Sequence, residues 1–300
     1  MDPIYKYINQ LNITREMDGG LCAIHFPSGY SPDALSPNDE HSAFLQLLEL
    51  DILAQRIHNA LLPEDPQSFL DFHRVFADNF LYMGSLKLEV DQRFYTTACI
   101  QHPFDIVCAL RYVGKSSYSE VFKFTNRVDT LCFANITQQH ILVDPSTRKP
   151  MEFPSYWREK FGKMSEGLPL VMKRLARPDI CTLNLEYKIQ SSDLDIQEHT
   201  NFSSYVRLCT EVSRNAFIDG LFRRFSKQMI GNGLKELQMR FENEALVNEE
   251  VVVHMWEATD RNDQLCFEIT RGLDVCIQAT MSFYQASIDG CKFESLYSKI

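Results

Sequence analysis

The densest run of chemistry-bearing side chains in the chain is Ser192-Asp193-Leu194-Asp195-Ile196-Gln197-Glu198-His199-Thr200-Asn201-Phe202-Ser203-Ser204-Tyr205. Asp193, Asp195, Gln197, His199 and Asn201 alternate through it. The run lies where a strand predicted over Leu183 to Gln190 ends and a helix predicted from near Thr200 begins. A helix N-terminus presents unpaired backbone N–H groups and a partial positive charge. Such an end can stabilise the oxyanion that forms when a carbonyl is attacked. A carboxylate beside it can act as the nucleophile or as the base that activates water. The parts of an acyl-transfer site therefore sit in one loop. Acids and asparagines ahead of a helix also serve as simple caps, and His199 could be a hydrogen-bonded structural histidine. Spacing alone favours that plainer reading.

The elements that would position this loop recur along the chain. Arg93-Phe94, Phe104-Asp105-Ile106-Val107, Ser119-Glu120-Val121-Phe122, Leu131-Cys132-Phe133-Ala134 and Asp144 form one series. Arg240-Phe241, Val251-Val252-Val253, Leu265-Cys266-Phe267-Glu268, Val275-Cys276-Ile277 and Asp289 form another, with offsets of 147 residues at the start and 145 at the end. Nearly constant spacing suggests duplication of a unit of about half the chain. Each half reads as one long helix followed by strands. In the first, Ser36-Pro37-Asn38-Asp39 supplies start signals. Phe44, Leu48, Ile52 and Ile57 then keep helical spacing as far as Pro63. In the second, Phe202, Tyr205, Cys209, Val212 and Ala216 make one helical face. Period-two apolar positions follow at Leu86, Leu88 and Val90, at Leu237, Met239 and Phe241, and at Val275, Ile277, Ala279, Met281 and Phe283, as expected of half-buried strands. The expected fold class is α+β: a long helix wrapped by an antiparallel sheet, built twice, which is a tandem hotdog. The expected domains are residues 1–161 and 179–300, joined by a connection over 162–178.

Composition narrows the function. The chain has 300 residues, 45% of them hydrophobic, and a formal net charge of -10, which disfavours a nucleic-acid partner because phosphate binding needs a concentrated basic surface. Nine cysteines are scattered singly without CxxC spacing, so neither a disulfide framework nor a metal site is expected, and no cofactor is implied. The N-terminal residues lack signal-peptide character, and no apolar run approaches the ~20 residues of a membrane span. A soluble intracellular protein is expected. The chain finishes Ser298-Lys299-Ile300, one aliphatic swap from a peroxisomal signal, so the expected location is peroxisomal, or else cytoplasmic.

The loop's pattern, Asp193-Leu194-Asp195-x-x-x-His199-x-Asn201-x-x-x-Tyr205, resembles the signature in the second hotdog of plant and bacterial acyl-acyl-carrier-protein (acyl-ACP) thioesterases, and the loop is similar to that of the wider 4-hydroxybenzoyl-CoA thioesterase-like superfamily. Phe241-Glu242-Asn243-Glu244-Ala245 resembles a strand of the same family, and the stretch from Ala134 through Val143-Asp144-Pro145-x-Thr147-Arg148-Lys149-Pro150 is similar to the end of its first hotdog. The resemblance covers most of residues 30–290 loosely, with only the loop specific. It implies hydrolysis of a fatty acyl thioester. It would make Asp195 the catalytic carboxylate, His199 its polar partner and Glu244 an acid that positions water or the carboxylate. Backbone N–H groups near Thr200 and Asn201 would face the thioester oxygen, and Phe202 and Tyr205 would line the substrate side of the helix. Two departures stand out: Gln197 occupies a position where the family has Asn, and Ala245 one where it often has Cys. The first half shows no equivalent loop, His41 beside Glu40 reading as a solvated first turn. That half is expected to be non-catalytic and to complete the pseudo-dimer whose interface forms an acyl tunnel. The preferred substrate is acyl-CoA, with acyl-ACP as the alternative carrier; a homodimer of double hotdogs is a further expectation. The competing functions are a non-catalytic acyl-binding or protein-interaction hotdog, and a hydratase or dehydratase on the same fold.

Overall fold

A computed structural model of the chain describes residues 3–29, 43–62, 67–75, 79–95, 102–195, 198–225 and 230–285. After a short helix α1 (Pro3–Gln10) and strands β1 (Thr14–Asp18) and β2 (Leu21–Phe26) comes the long helix α2 (Ala43–Asn59). A short helix α3 (Phe72–Val75) and strands β3 (Phe80–Val90), β4 (Phe104–Val113), β5 (Ser117–Asn126) and β6 (Cys132–Val143) follow. Helix α4 (Ser155–Gly162) precedes β7 (Leu183–Lys188), the second long helix α5 (Phe202–Ile218), β8 (Leu234–Phe241), β9 (Glu250–Glu257), β10 (Gln264–Arg271) and β11 (Asp274–Phe283).

The eleven strands form one sheet in the order β1-β2-β4-β5-β6-β3-β8-β11-β10-β9-β7. Every pairing in it is antiparallel. The runs β2-β4-β5-β6-β3 and β7-β9-β10-β11-β8 repeat one internal order, each with its long helix inserted after the first strand. This arrangement fits the expected hotdog pattern. Alternation explains the inner surface: Phe104, Ile106 and Cys108 of β4 and Leu237, Met239 and Met281 of the second half are all buried. The helices bury matching stripes, Phe44, Leu47, Leu50, Ala54 and Ile57 on α2 and Tyr205, Cys209, Val212 and Ala216 on α5, at the three- and four-residue spacing of an amphipathic helix. Ile52, expected on the same stripe, is only partly buried. The start signals at 36–39, Glu40, His41 and Pro63 lie outside the described residues.

The three inner segments of the proposed repeat do align strand with strand, β4 with β9, β5 with β10 and β6 with β11. Its first segment does not. Arg93-Phe94 lies in a 3-10 turn after β3, whereas Arg240-Phe241 ends β8, so the structural counterpart of β8 is β3 and a local sequence match misleads there. Asp289 lies outside the described residues.

The expected connection is extended but tied down. It begins after α4 and crosses the sheet face turned away from the helices. Gln139 Oε1 accepts the Leu170 N–H at 2.9 Å, and Gln278 both accepts from Leu175 N–H (2.8 Å) and donates to its carbonyl (2.9 Å). α4, which the sequence did not announce, is anchored by Trp157. Its ring is fully buried against Phe153, with centroids 4.4 Å apart, and its indole N–H donates to Leu70 O at 2.7 Å.

Gly233, just before β8, has φ +91°, and a Cβ there would stand 2.4 Å from the Tyr95 ring, whose hydroxyl is held by Leu234 O at 2.8 Å. Backbone strain and overpacking then add. Gly233→Ala is expected to lower stability by about 2–4 kcal/mol; urea unfolding checks it, and an unchanged midpoint would refute the packing described.

Candidate functional site

The loop between β7 and α5 is built by its own hydrogen bonds. Asp193 is 2% exposed. Its carboxylate accepts from Arg207 Nη2 (2.6 Å), the Tyr187 hydroxyl (2.9 Å) and the Gln190 N–H (2.8 Å). It is an internal brace, as its place ahead of the helix suggested. Leu194 and Thr200 form an antiparallel bridge, flanked by Asp195 N–H to His199 O (2.8 Å) and Asn201 N–H to Asp193 O (2.8 Å). Glu198 takes φ +63° to close the turn. Asp195 Oδ1 accepts the His199 N–H at 3.1 Å, so the carboxylate and the imidazole-bearing residue are joined through the backbone.

The helix start follows expectation in part. Asn201 is the N-cap of α5; its side chain accepts from Ser203 N–H at 2.9 Å. Of the two backbone groups expected to face a thioester oxygen, the Asn201 N–H is bonded to Asp193 O, and the Thr200 N–H has no hydrogen bond among the described residues. Thr200 and Tyr205 differ from the expected lining residues. The Thr200 hydroxyl donates to Ala245 O at 2.5 Å and the Tyr205 hydroxyl accepts the Ala245 N–H at 3.0 Å. Both are buried, and burial pushes the Tyr205 phenol up to about 12. Their work is to hold the segment that carries Glu244. Phe202 packs against the core, as an apolar helix stripe usually does. Gln197 lies outside the described residues, as do Ser298-Lys299-Ile300.

Glu244 meets the loop. Its Oε2 stands 3.4 Å from His199 Nε2, and its Oε1 accepts from Arg148 Nη1 at 3.1 Å. Arg148 also donates to the Tyr82 hydroxyl at 3.2 Å, and its guanidinium lies over Phe80, 5.4 Å from the ring centroid. Tyr82 and Phe80 flank the imidazole at 5.7 and 6.1 Å. Burial, then the Glu244 carboxylate, pushes the Tyr82 phenol far up, which keeps it a proton donor. His199 and Glu244 retain 22% and 24% side-chain exposure.

Three of these groups, Phe80, Tyr82 and Arg148, come from the first half. The sequence gives that half no expected role at the site beyond forming an interface. Arg148 sits with φ +54° on the turn after β6. Asp144 Oδ1 accepts there from the Ser146 hydroxyl (2.6 Å) and the Ser146 and Thr147 N–H groups, bonds that hold its carboxyl down at about 2. The Asp144-to-Pro150 stretch already stood out in the sequence; Phe80 and Tyr82 gave no signal, because aromatic residues in a strand look like core.

No protein-family profile matches the sequence, and no curated protein matches it. Solved structures do. The 12:0-ACP thioesterase from Umbellularia californica aligns over 90% of this chain and 99% of its own, with TM-score 0.65 and 12% identity. The fold is that of the acyl-ACP thioesterases. An acyl-ACP thioesterase from Bacteroides thetaiotaomicron matches over 89% of this chain and 100% of its own (TM-score 0.61, 13% identity), and a protein described as an oleoyl thioesterase from Lactobacillus plantarum over 89% and 96% (TM-score 0.59, 16% identity). Among the described residues, no helix is long and apolar enough to cross a membrane.

The brace at Asp193 generates a stability prediction. Asp193→Ala leaves the Tyr187, Gln190 and Arg207 donors without their common acceptor, and is expected to cost about 2–3 kcal/mol. Guanidinium unfolding measures it; a loss under about 0.5 kcal/mol would mean that the loop is held by other contacts.

Proposed function

We propose that the chain is a thioester hydrolase that cleaves a fatty acyl thioester to the free acid and thiol, at a site between its two halves. The observation that carries this reading is the convergence of Asp195, His199 and Glu244 from the second half with Arg148 and Tyr82 from the first, on a fold shared with acyl-ACP thioesterases. In the proposed architecture the chain is a tandem hotdog, with units 1–161 and 179–300, and only the second carries the reactive loop.

In this mechanism Asp195 takes a proton from water as the water adds to the thioester carbonyl. The Thr200 N–H and the N-terminal end of α5 stabilise the developing oxyanion. Collapse expels the thiolate, which takes up a proton, and the acid is released. His199 is the polar partner beside Asp195, and Glu244 orients its ring through Nε2. Arg148 offsets the Glu244 carboxylate through Oε1, while Oε2, buried without a hydrogen bond, faces the His199 ring. CoA is the proposed carrier and acyl-ACP the alternative. The acyl chain would extend between the halves.

Free-thiol release is the test, on acyl-CoA and acyl-ACP panels from short to long chains. Wild type should turn over at least one series. Asp195→Asn should fall roughly a hundredfold or more in kcat, as expected for loss of a general base. Glu244→Gln and Arg148→Gln, which disturb His199 without removing it, should each fall by about tenfold or more. A well-folded wild type without turnover on any thioester would sink the enzymatic reading and leave acyl binding in its place. Full activity in Asp195→Asn would move the reaction to another group.

A further inference from the structure

A second cluster of ionisable groups lies inside the first half, away from the proposed reaction. Cys108 on β4, Glu120 on β5 and His58 near the end of α2 are at most 1% exposed. One donor atom from each, Cys108 Sγ, a Glu120 oxygen and a His58 ring nitrogen, falls within 4.8 Å of the other two. Glu120 Oε2 stands 3.5 Å from His58 Nε2 and 3.4 Å from Cys108 Sγ. Tetrahedral zinc, with bonds of about 2.0–2.3 Å, sets its ligand atoms about 3.3–3.7 Å apart. The two separations to Glu120 match such edges; the shorter is also within reach of a Cys108 thiol hydrogen bond to the carboxylate, whereas the N···O separation is too long for a good hydrogen bond.

The surroundings orient these donors as ligands. His58 Nδ1 lies 2.6 Å from Gln55 O, so Nδ1 carries the proton and Nε2 faces the cluster. This is the backbone contact that commonly fixes a metal-binding histidine. His58 Nε2 and Asp51 Oδ1 are both buried without a hydrogen-bond partner. His140 Nε2 holds the other Glu120 oxygen at 3.1 Å, and Gln138 binds both Asp51 and His140. A neutral imidazole, a thiolate and a carboxylate together balance the charge of a divalent ion, which removes the cost of a buried uncompensated anion.

The fold itself does not demand such a cluster. Gln139 and Gln278 occupy equivalent positions, each gripping the connecting segment, and they pair across the sheet with Ser119 and Glu268. One residue along, the first half has Gln138, His140 and Glu120 facing inward where the second half has Ile277, Ala279 and Ile269, all buried and apolar. The second half shows that this position packs well with hydrocarbon alone.

We propose that His58, Cys108 and Glu120 form a buried transition-metal site, most suited to Zn²⁺, that clamps α2 to β4 and β5. His140 is a positioning residue for Glu120. Binding replaces the Cys108 thiol proton, which is released to solvent, by a Zn–S bond, with no change of oxidation state. The site is separate from the thioesterase reading, and its test does not use turnover.

Full-length protein from zinc-supplemented culture is analysed for metal by mass spectrometry, then stripped with chelator and titrated with Co²⁺. About one equivalent of zinc per chain, and a thiolate-to-cobalt charge-transfer band on the wild type, are expected. Cys108→Ala and Glu120→Gln should lose at least about tenfold in zinc affinity. Cys22→Ala, which faces Cys108 across β2 and β4, should keep the metal. Chelation should lower the thermal midpoint of wild type but not of Cys108→Ala. If Cys108→Ala fails to fold, the wild-type cobalt spectrum decides. A folded wild type that retains no zinc and gives no cobalt–thiolate band overturns the proposal, leaving His58 and Glu120 as a buried ion pair. Undiminished affinity in folded Cys108→Ala overturns it equally.

Discussion

Between β3 and β8, five residue pairs run from Ser85 opposite Arg240 to Glu89 opposite Glu236, and they turn two half-sheets into one. Leu86, Leu88, Leu237 and Met239 point inward from this seam and are fully buried, while Lys87 reaches across the other face to Glu236 at 3.0 Å. The pairing is antiparallel, so β3 leads back towards Tyr82 and Phe80 as β8 leads on towards Glu244. The seam thereby brings groups 162 residues apart in sequence, Tyr82 and Glu244, to the same end of the sheet. Loss of register here would move every side chain of one half to the wrong face, and with it the site. Tyr95 against Gly233 and the Tyr284 hydroxyl on Val90 O (2.6 Å) tie the same junction from its other end.

Charge is handled differently in the two polar regions. Beside His199 the carboxylate of Glu244 is matched by an arginine from the opposite half, with all three side chains partly exposed. Solvent screens such a group and leaves it free to reorganise around a ligand. Inside the first half, Glu120, His58, Cys108, Asp51 and His140 are cut off from water. Glu120 is pushed up by burial yet held far below the ordinary range by His140 and His58, while burial drives Asp51 well above it. A cluster so divided must have its charge balanced inside the protein, by proton sharing among its members or by a bound cation.

Several side chains expected at the substrate instead hold neighbouring backbone in this fold. Thr200, Asn201 and Tyr205 carry polar side chains beside Asp195 and His199, but their hydrogen bonds run to Ala245, Ser203 and the loop itself. Thr200 and Tyr205 hold the segment that carries Glu244, and Asn201 caps α5. The same division applies to Asp193 and Asp195, two residues apart: one is buried under three donors, and the other stays partly exposed at the turn.

The sequence by itself determined the local elements. Apolar spacing defined α2, α5 and the later strands, the acids and asparagine marked the start of α5, and the loop from Asp193 to Tyr205 stood out as a candidate site through its resemblance to a family signature, its spacing alone being equally that of a helix cap. These features depend on interactions within a few residues, and periodicity records them. Only the tertiary structure decided what meets that loop. Phe80, Tyr82 and Arg148 reach it through long-range pairing and a left-handed turn. His58, Cys108 and Glu120 reach one another through a helix laid on two strands. Nothing in the spacing of single cysteines and histidines encodes such encounters, because a sheet pairs residues by register and a helix selects partners by packing, across distances in sequence that no local pattern spans.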